Sequence, residues 1–248
     1  MRLDAVIEAL ALPSGARVDQ RVPKKLLLEQ GAPTAADRRQ IQDGLEALRW
    51  IAALKPSTIG VPEYRDERRE YLEIAVLTMA LRPTAGAARL SELVHRAIPY
   101  PVVLVTAQAE DVSLSLAHKR FSHGEAGATV LDEGPISARL RAQDAPSPPE
   151  GLAIASQPKT HLLALYQGWV EWVEAFRASR ITGRFARAAT PDAAATRRDA
   201  LQRHERLQRE IGRLRAQAAK ERQLNRRVEL NLTIRRLEAE LAEAAANL

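Results

Sequence analysis

Five histidines (His95, His118, His123, His161 and His204) and a run of acids from Glu63 to Glu73 are the residues best equipped for acid–base or metal chemistry. Only His118 and His123 are near one another. A spacing of five sets them on one side of neither a strand nor a helix, unlike the short regular spacings of zinc ligands. Glu63, Asp66, Glu67, Glu70 and Glu73 approach or enter an expected strand, and Lys119 stands at the end of another. Strand carboxylates beside a lysine could hold a divalent metal against a phosphate, as in a nuclease. However, Glu73 is followed by Ile74-Ala75-Val76 rather than by a second acid and a lysine, so the acidic run reads better as a solvated loop. There is no phosphate-binding Gly-rich loop with Lys, no nucleophile elbow and no dinucleotide fingerprint; Thr84-Ala85-Gly86-Ala87-Ala88 lacks the required pattern. The absence of cysteine excludes disulfides, Cys-ligated zinc, iron–sulfur clusters and thiol nucleophiles. Catalysis is not expected, and neither a metal nor a cofactor is predicted.

Binding chemistry is better represented. The chain has 248 residues and a net charge of +6, with an isoelectric point near 10.0. That small sum hides a separation: Arg177 to Arg236 holds 17 Lys/Arg against 6 Asp/Glu, and the rest of the chain 20 against 25. A basic arm on a mildly acidic body attracts phosphate backbones through counterion release, or an acidic protein surface. The plainer reading is a long helix kept hydrated by Arg and Glu. Candidate nucleic-acid or partner contacts are Arg177, Arg180, Arg184 and Arg187, with Arg222, Arg226 and Arg227 farther along. On the body, Lys24 with Lys25 and Arg49 with Lys55 lie at expected helix ends, where a phosphate or an acidic side chain could reach.

Positioning these residues falls to an α+β body of residues 1–177, a basic linker of 178–191 and a helical arm of 192–248. Leu3, Val6, Ile7 and Leu10 predict a short amphipathic helix stopped by Pro13-Ser14-Gly15. Pro23 opens a second helix. Thr34 is the expected N-cap of a third, running to about Leu54 with Ile41, Leu45, Leu48 and Ile51 as its buried stripe and Trp50 assigned to the core. Strands are expected over 57–61, over 71–79 as a half-buried alternation, over 102–106 as a continuous apolar run suited to a central position, over 113–119, and around 129–131. A helix over 88–97 separates the second and third. The order implies N-terminal helices and a mixed, mostly antiparallel sheet. Residues 142–150 form a Pro-rich loop. A helix over about 160–177 carries Tyr166, Trp169, Trp172 and Phe176, either as core or as a base-stacking platform, with core favoured by the helical spacing.

The arm reads as one long helix with coiled-coil character. Leu207, Ile211, Leu214 and Ala218 step 4,3,4, as do Leu230, Ile234, Leu237 and Leu241. Between them the phase slips through 221–231, where Asn225 and Asn231 fall near the seam. A hairpin bent at this polar centre, self-association into a homo-oligomer and docking on a partner's helices all stay open. The N-terminus has acids at Asp4 and Glu8 and does not read as a signal peptide. No stretch approaches the roughly 20 apolar residues that span a bilayer, so a soluble, cytoplasmic protein with no membrane partner is expected.

Several phrases taken together resemble a bacterial and archaeal family without assigned activity, domain of unknown function 4391. They are Arg21-Val22-Pro23-Lys24-Lys25, Leu48-Arg49-Trp50, Leu54 to Ile59, Tyr71 to Val76, Val94 to Leu104, Ala117-His118-Lys119, the Trp169/Trp172 helix and Leu224 to Asn231. Ala75 and Leu77-Thr78 depart from the family, which tends to be bulkier or acidic there. The resemblance carries over no catalytic residues. It implies an accessory gene of restriction-like phage-defence clusters, beside an SNF2-like or DEAD-box helicase and a DNA methyltransferase. Three functions follow as expectations. The first is a non-enzymatic accessory or scaffold subunit of such a complex, binding the helicase or methyltransferase and DNA through its arm. The second is a stand-alone nucleic-acid-binding module. The third is a metal-dependent nuclease using Glu73 and Lys119.

Overall fold

The computed structural model describes residues 2–122, 124, 128–140 and 149–248. His123 and residues 142–148 of the Pro-rich loop lie outside the described residues. The elements run α1 (Leu3–Ala9), β1 (Arg17–Arg21), α2 (Lys24–Gln30), α3 (Ala35–Gly44), β2 (Leu45–Leu54), α4 (Pro56–Ile59), β3 (Tyr64–Arg65), β4 (Glu70–Tyr71), β5 (Ile74–Leu81), α5 (Ala87–Ala97), β6 (Val102–Gln108), β7 (Asp111–Leu116), β8 (Lys119–Phe121), β9 (Thr129–Leu131), β10 (Ile136–Leu140), α6 (Leu162–Thr182), α7 (Pro191–Lys220) and α8 (Leu224–Ala246). The fold is α+β, and the chain forms two compact units, 1–173 and 174–248.

The first unit is built on a six-stranded sheet in the order β1-β2-β5-β6-β7-β10. Every pairing in it is antiparallel except β5 with β6, which run parallel in an unbroken register from Ala75–Val102 to Leu81–Gln108. Parallel neighbours cannot be joined by a hairpin, and α5 supplies the crossover. Leu77, Met79 and Leu104 from the sheet meet Leu27, Ile41, Leu90, Leu93 and Val94 from α2, α3 and α5 in one core cluster. Alternation turns Val103 and Val105 to the opposite face, where they are equally buried and α1 lies against β6. β5 is therefore covered on both faces, not half-buried as its alternation suggested, because a central parallel pair takes helices on both sides.

Three expected elements take a different form. The helix from Thr34 ends at Gly44, and Leu45–Leu54 is a strand. β2 carries bulges between Leu45 and Ala47 and between Trp50 and Ala52 opposite β5. Each bulge adds a residue, so the buried positions Leu45, Leu48 and Ile51 fall three apart and imitate a helical stripe. The expected strand over 57–61 is instead the single turn α4, which begins at Pro56 and closes through the left-handed Gly60. The strand around 129–131 exists but pairs with β8 in a separate ribbon outside the main sheet. β1 gives no apolar signal in sequence: it is an edge strand and almost wholly exposed. β10, the other edge strand, lies outside the expected strands although Ile136, Ala138 and Leu140 alternate with Ser137 and Arg139, and Ala138 and Leu140 are buried.

Tyr166, Trp169 and Trp172 are core, not a stacking platform. Trp169 Nε1 donates to the Leu152 carbonyl at 2.8 Å, and the Tyr166 hydroxyl accepts from Ala117 N–H and donates to the Val102 carbonyl. α6 continues five residues past Arg177, to Thr182, because the residue able to stop it in the left-handed region is Gly183.

In the second unit, the sequence from Asp192 onward is not one straight helix. α7 and α8 are separated at Glu221–Gln223 and pair as an antiparallel hairpin, with Arg203 near Glu240 and Glu243 and Arg215 on Glu238. The two expected seams meet each other: Ile211, Leu214, Ala218 and Ile234 form the cluster, with Leu230, Leu237 and Leu241 against it. Asn225 and Asn231 are exposed rather than at the seam, since the phase slip turns them outward. Leu77→Ala in the sheet should cost about 2–5 kcal/mol in urea unfolding, through lost burial plus a residual cavity. Leu232→Ala on the arm should change it by no more than about 0.5 kcal/mol.

Candidate functional site

The expected basic residues do not converge on one site. Lys24 donates to the Gln42 carbonyl at 3.1 Å, and Lys25 pairs loosely with Glu29 along α2. Arg49 is exposed on β2 beside Arg21 of β1. Lys55 sits 2.9 Å from the buried Glu73 carboxylate, whose hydrogen bond and charge raise the ammonium pKa. Within the second unit, Arg177 is paired with Glu205, and Arg198 meets the buried Glu174 at 2.8 Å, tying α7 to the last turns of α6. Arg180 lies in the last turn of α6, while Arg184 and Arg187 occupy the segment between α6 and α7. Arg222, Arg226 and Arg227 are exposed at and just after the helix break.

Beside those three arginines is a feature that the seam analysis missed. Leu224, Val228 and Leu232 recur every four residues on α8 and are 64%, 48% and 61% exposed. They form a second apolar stripe, distinct from the inner one at Leu230, Ile234, Leu237 and Leu241. Between Arg222 and Arg236 there are five arginines and only Glu229 to oppose them. The first turn of α8 holds arginine and no acid, a placement that the helix dipole disfavours. The sequence signal was present in the 4,4 spacing of 224, 228 and 232, but the stronger seam pattern masked it.

The residues expected of a nuclease are apart in function. Glu73 is occupied by Lys55, and Lys119, almost fully buried, donates to the Ile98 carbonyl. His118 is held between the Tyr71 hydroxyl, which donates to Nδ1 at 2.6 Å, and Gln167 Oε1, which accepts from Nε2 at 2.9 Å. Among the described residues no group of three or more His, Asp or Glu side chains is arranged to hold a metal ion.

Buried hydroxyls are instead gathered in a cavity of about 610 Å³ between α5 and the face of β6, β7 and β10. Strand pairing builds it: Ser115 lies opposite both Leu104 and Ser137, and Ser113 opposite both Thr106 and Arg139, so these side chains share a face. From α5 come Ser91, Glu92 and Arg89. Arg89 grips Asp37 through two hydrogen bonds of 2.7 and 2.9 Å and Glu92 through a third, and with Thr34 it holds the Asp37 carboxyl down to about 2. At the inner end, His95 Nε2 is 2.6 Å from Ser115 Oγ, which is 2.8 Å from Ser91 Oγ.

The His95–Ser115 contact has the reach of a nucleophile and its base, but the chemistry is wrong for one. His95 is fully buried; burial, aided by the Lys119 charge, lowers its pKa to about 3, too weak for a base at neutral pH. Among the described residues its Nδ1 has no partner and therefore no group to orient the ring. A buried acceptor left without a donor costs less than an orphaned N–H, which assigns the proton to Nε2. The relay then runs from His95 to Ser115 to Ser91 and leaves the last hydroxyl hydrogen directed onward. Sequence reasoning missed Ser91, Thr106, Ser115 and Ser137, and reached His95 only as one of five histidines, without its serine partners. A trace was present in Ser113-Leu114-Ser115-Leu116, whose alternation marks one hydroxyl face.

Burial also depresses Lys119, to about 8. Between pH 8 and its ordinary value of 10.5 the unfolded chain holds a proton that the folded chain has released, so stability rises with pH across that window. From pH 8 to pH 10 urea unfolding should show a gain of roughly 2 kcal/mol, and Lys119→Met should flatten it.

The model of the DUF4391 family, described as a domain of unknown function, matches residues 10–241. No curated protein and no solved structure matches the chain. The match takes in the sheet, the hydroxyl cavity and nearly all of the arm, and the chain belongs to the DUF4391 family.

Proposed function

We propose that this chain is a non-enzymatic accessory subunit of a DNA-acting phage-defence complex, and that its arm docks on a helicase, SNF2-like or DEAD-box, or on a DNA methyltransferase. The observation that carries the reading is the exposed Leu224/Val228/Leu232 stripe on a helix whose other apolar stripe is already filled by α7. Unpaired apolar stripes of this kind fit an amphipathic helix of a partner. The flanking Arg222, Arg226, Arg227, Arg235 and Arg236 commit that helix to acidic residues beside its apolar face. DNA contact through the basic arm is a second, salt-sensitive part of the same reading. Among the described residues no helix is long and apolar enough to cross a membrane, which accords with work on DNA in the cytoplasm.

The test is recovery of partners from the native host by full-length protein and by a Leu224→Gln/Val228→Gln/Leu232→Gln variant, after nuclease treatment. The full-length chain should retain a helicase or methyltransferase identified by mass. The variant should lose it at least tenfold with an unchanged melting temperature, because the substituted side chains are exposed. Arg222→Glu/Arg226→Glu/Arg227→Glu should lose it as well. Retention by the leucine variant, or recovery of nucleic acid alone, would overturn the docking role.

A further inference from the structure

The hydroxyl cavity is independent of the arm, and its construction specifies a ligand. α5 starts at the carboxyl ends of the parallel strands β5 and β6, the end of an α/β unit at which ligands collect. Its N-cap is Gly86, with no side chain to accept the first N–H groups and no acid in the first turn. Ala87 and Ala88, the first two helical residues, line the cavity. The preceding loop is fixed: Gln108 Nε2 donates to the carbonyls of Arg82, Pro83 and Ala85 at 3.1, 3.1 and 2.8 Å. The helix N-terminus is thus rigid, uncapped and open to the cavity, an arrangement suited to an anion.

A second observation points to a ligand. Thr106 lines the same cavity at 3% exposure, and its Oγ1 has no hydrogen-bond partner among the described residues. A buried hydroxyl left unsatisfied is costly. The lining contains no aromatic ring and no large apolar side chain among the described residues, which excludes a stacked base or a lipid tail. It offers serine hydroxyls, the Asp111 and Glu92 carboxylates, Arg89, which is held by Asp37 and Glu92, and Arg139, whose guanidinium is 3.6 Å from Asp111 and more than half exposed. Neutral donors and acceptors beside a carboxylate match sugar hydroxyls, and a guanidinium and a helix N-terminus lining one cavity match a phosphate.

We propose that this cavity binds a sugar phosphate, with the phosphate between the N-terminus of α5 and Arg139 and the sugar hydroxyls on Thr106, Ser113, Ser137 and Asp111. The ligand is a free sugar phosphate or the 5′-phosphorylated terminal nucleotide of a nucleic-acid strand; the two share this chemistry.

Titration calorimetry of the full chain with ribose 5-phosphate should give saturable one-to-one binding. Ribose and inorganic phosphate, each supplying half of the contacts, should bind at least tenfold more weakly. Thr106→Val should weaken ribose 5-phosphate at least fivefold while leaving the melting temperature of the free protein unchanged or higher, since that hydroxyl makes no hydrogen bond to the described residues. Arg139→Gln should weaken ribose 5-phosphate and phosphate alike. Competition by a 5′-phosphorylated but not a 5′-hydroxyl dinucleotide would identify a strand end as the source, and no competition by either would identify a free sugar phosphate. Absence of binding by ribose 5-phosphate at millimolar concentration, or binding unchanged in folded Thr106→Val and Arg139→Gln, would overturn the proposal.

Discussion

The parallel pairing of β5 with β6 is the constraint on which the first unit depends. A hairpin cannot make it, so the chain returns along α5, and that return fixes three things together. Both strands become buried on two faces, which accounts for the near-continuous apolar runs Ile74–Leu81 and Val102–Val105. The start of α5 is set at the carboxyl ends of both strands. The face of β6, β7 and β10 beside α5 passes from hydrocarbon at Val102 and Leu104 to hydroxyl at Thr106, Ser113 and Ser137. The cavity is the polar part of the sheet face that the crossover helix covers.

Polar groups buried next to that core have a cost, and their distribution is uneven. Lys119 places its ammonium on a backbone carbonyl, Tyr166 satisfies three backbone groups, and Trp169 reaches Leu152. These serve to fix the packing. Thr106 Oγ1 and His95 Nδ1 differ in having no partner among the described residues, and both belong to the hydroxyl system beside α5. Where most buried polar atoms are satisfied, such exceptions call for an account, and a bound oxygen-rich ligand supplies one for Thr106.

The arm obeys a simpler rule. Two helices of moderate apolar content become stable by burying their stripes in each other, and α7 with α8 does this within one chain. That leaves the outer side of α8 with a stripe that its own stability does not use, beside arginines in a turn where the helix dipole disfavours them. Both features work against an isolated helix and suit one that meets a partner.

Sequence alone determined the elements whose burial follows one uninterrupted period. α5 shows its stripe at Leu90, Leu93, Val94 and Ala97, β6 its apolar run, and the arm two seams with a break between them. Periodicity reports burial directly in such elements, because one backbone geometry repeats along the whole segment. It failed at β2, where two bulges turned a strand's spacing into threes, and at the edge strand β1, which is almost wholly exposed and has little burial to report; at β10 the alternation of Ile136, Ala138 and Leu140 is present but only five residues long. The tertiary structure alone decided that the arm folds back on itself, that Lys55 rather than Lys119 meets Glu73, and that hydroxyls from residues 91, 106, 113, 115 and 137 share one cavity. Those outcomes depend on which distant strands and helices pair and in what register, which no local run of residues encodes.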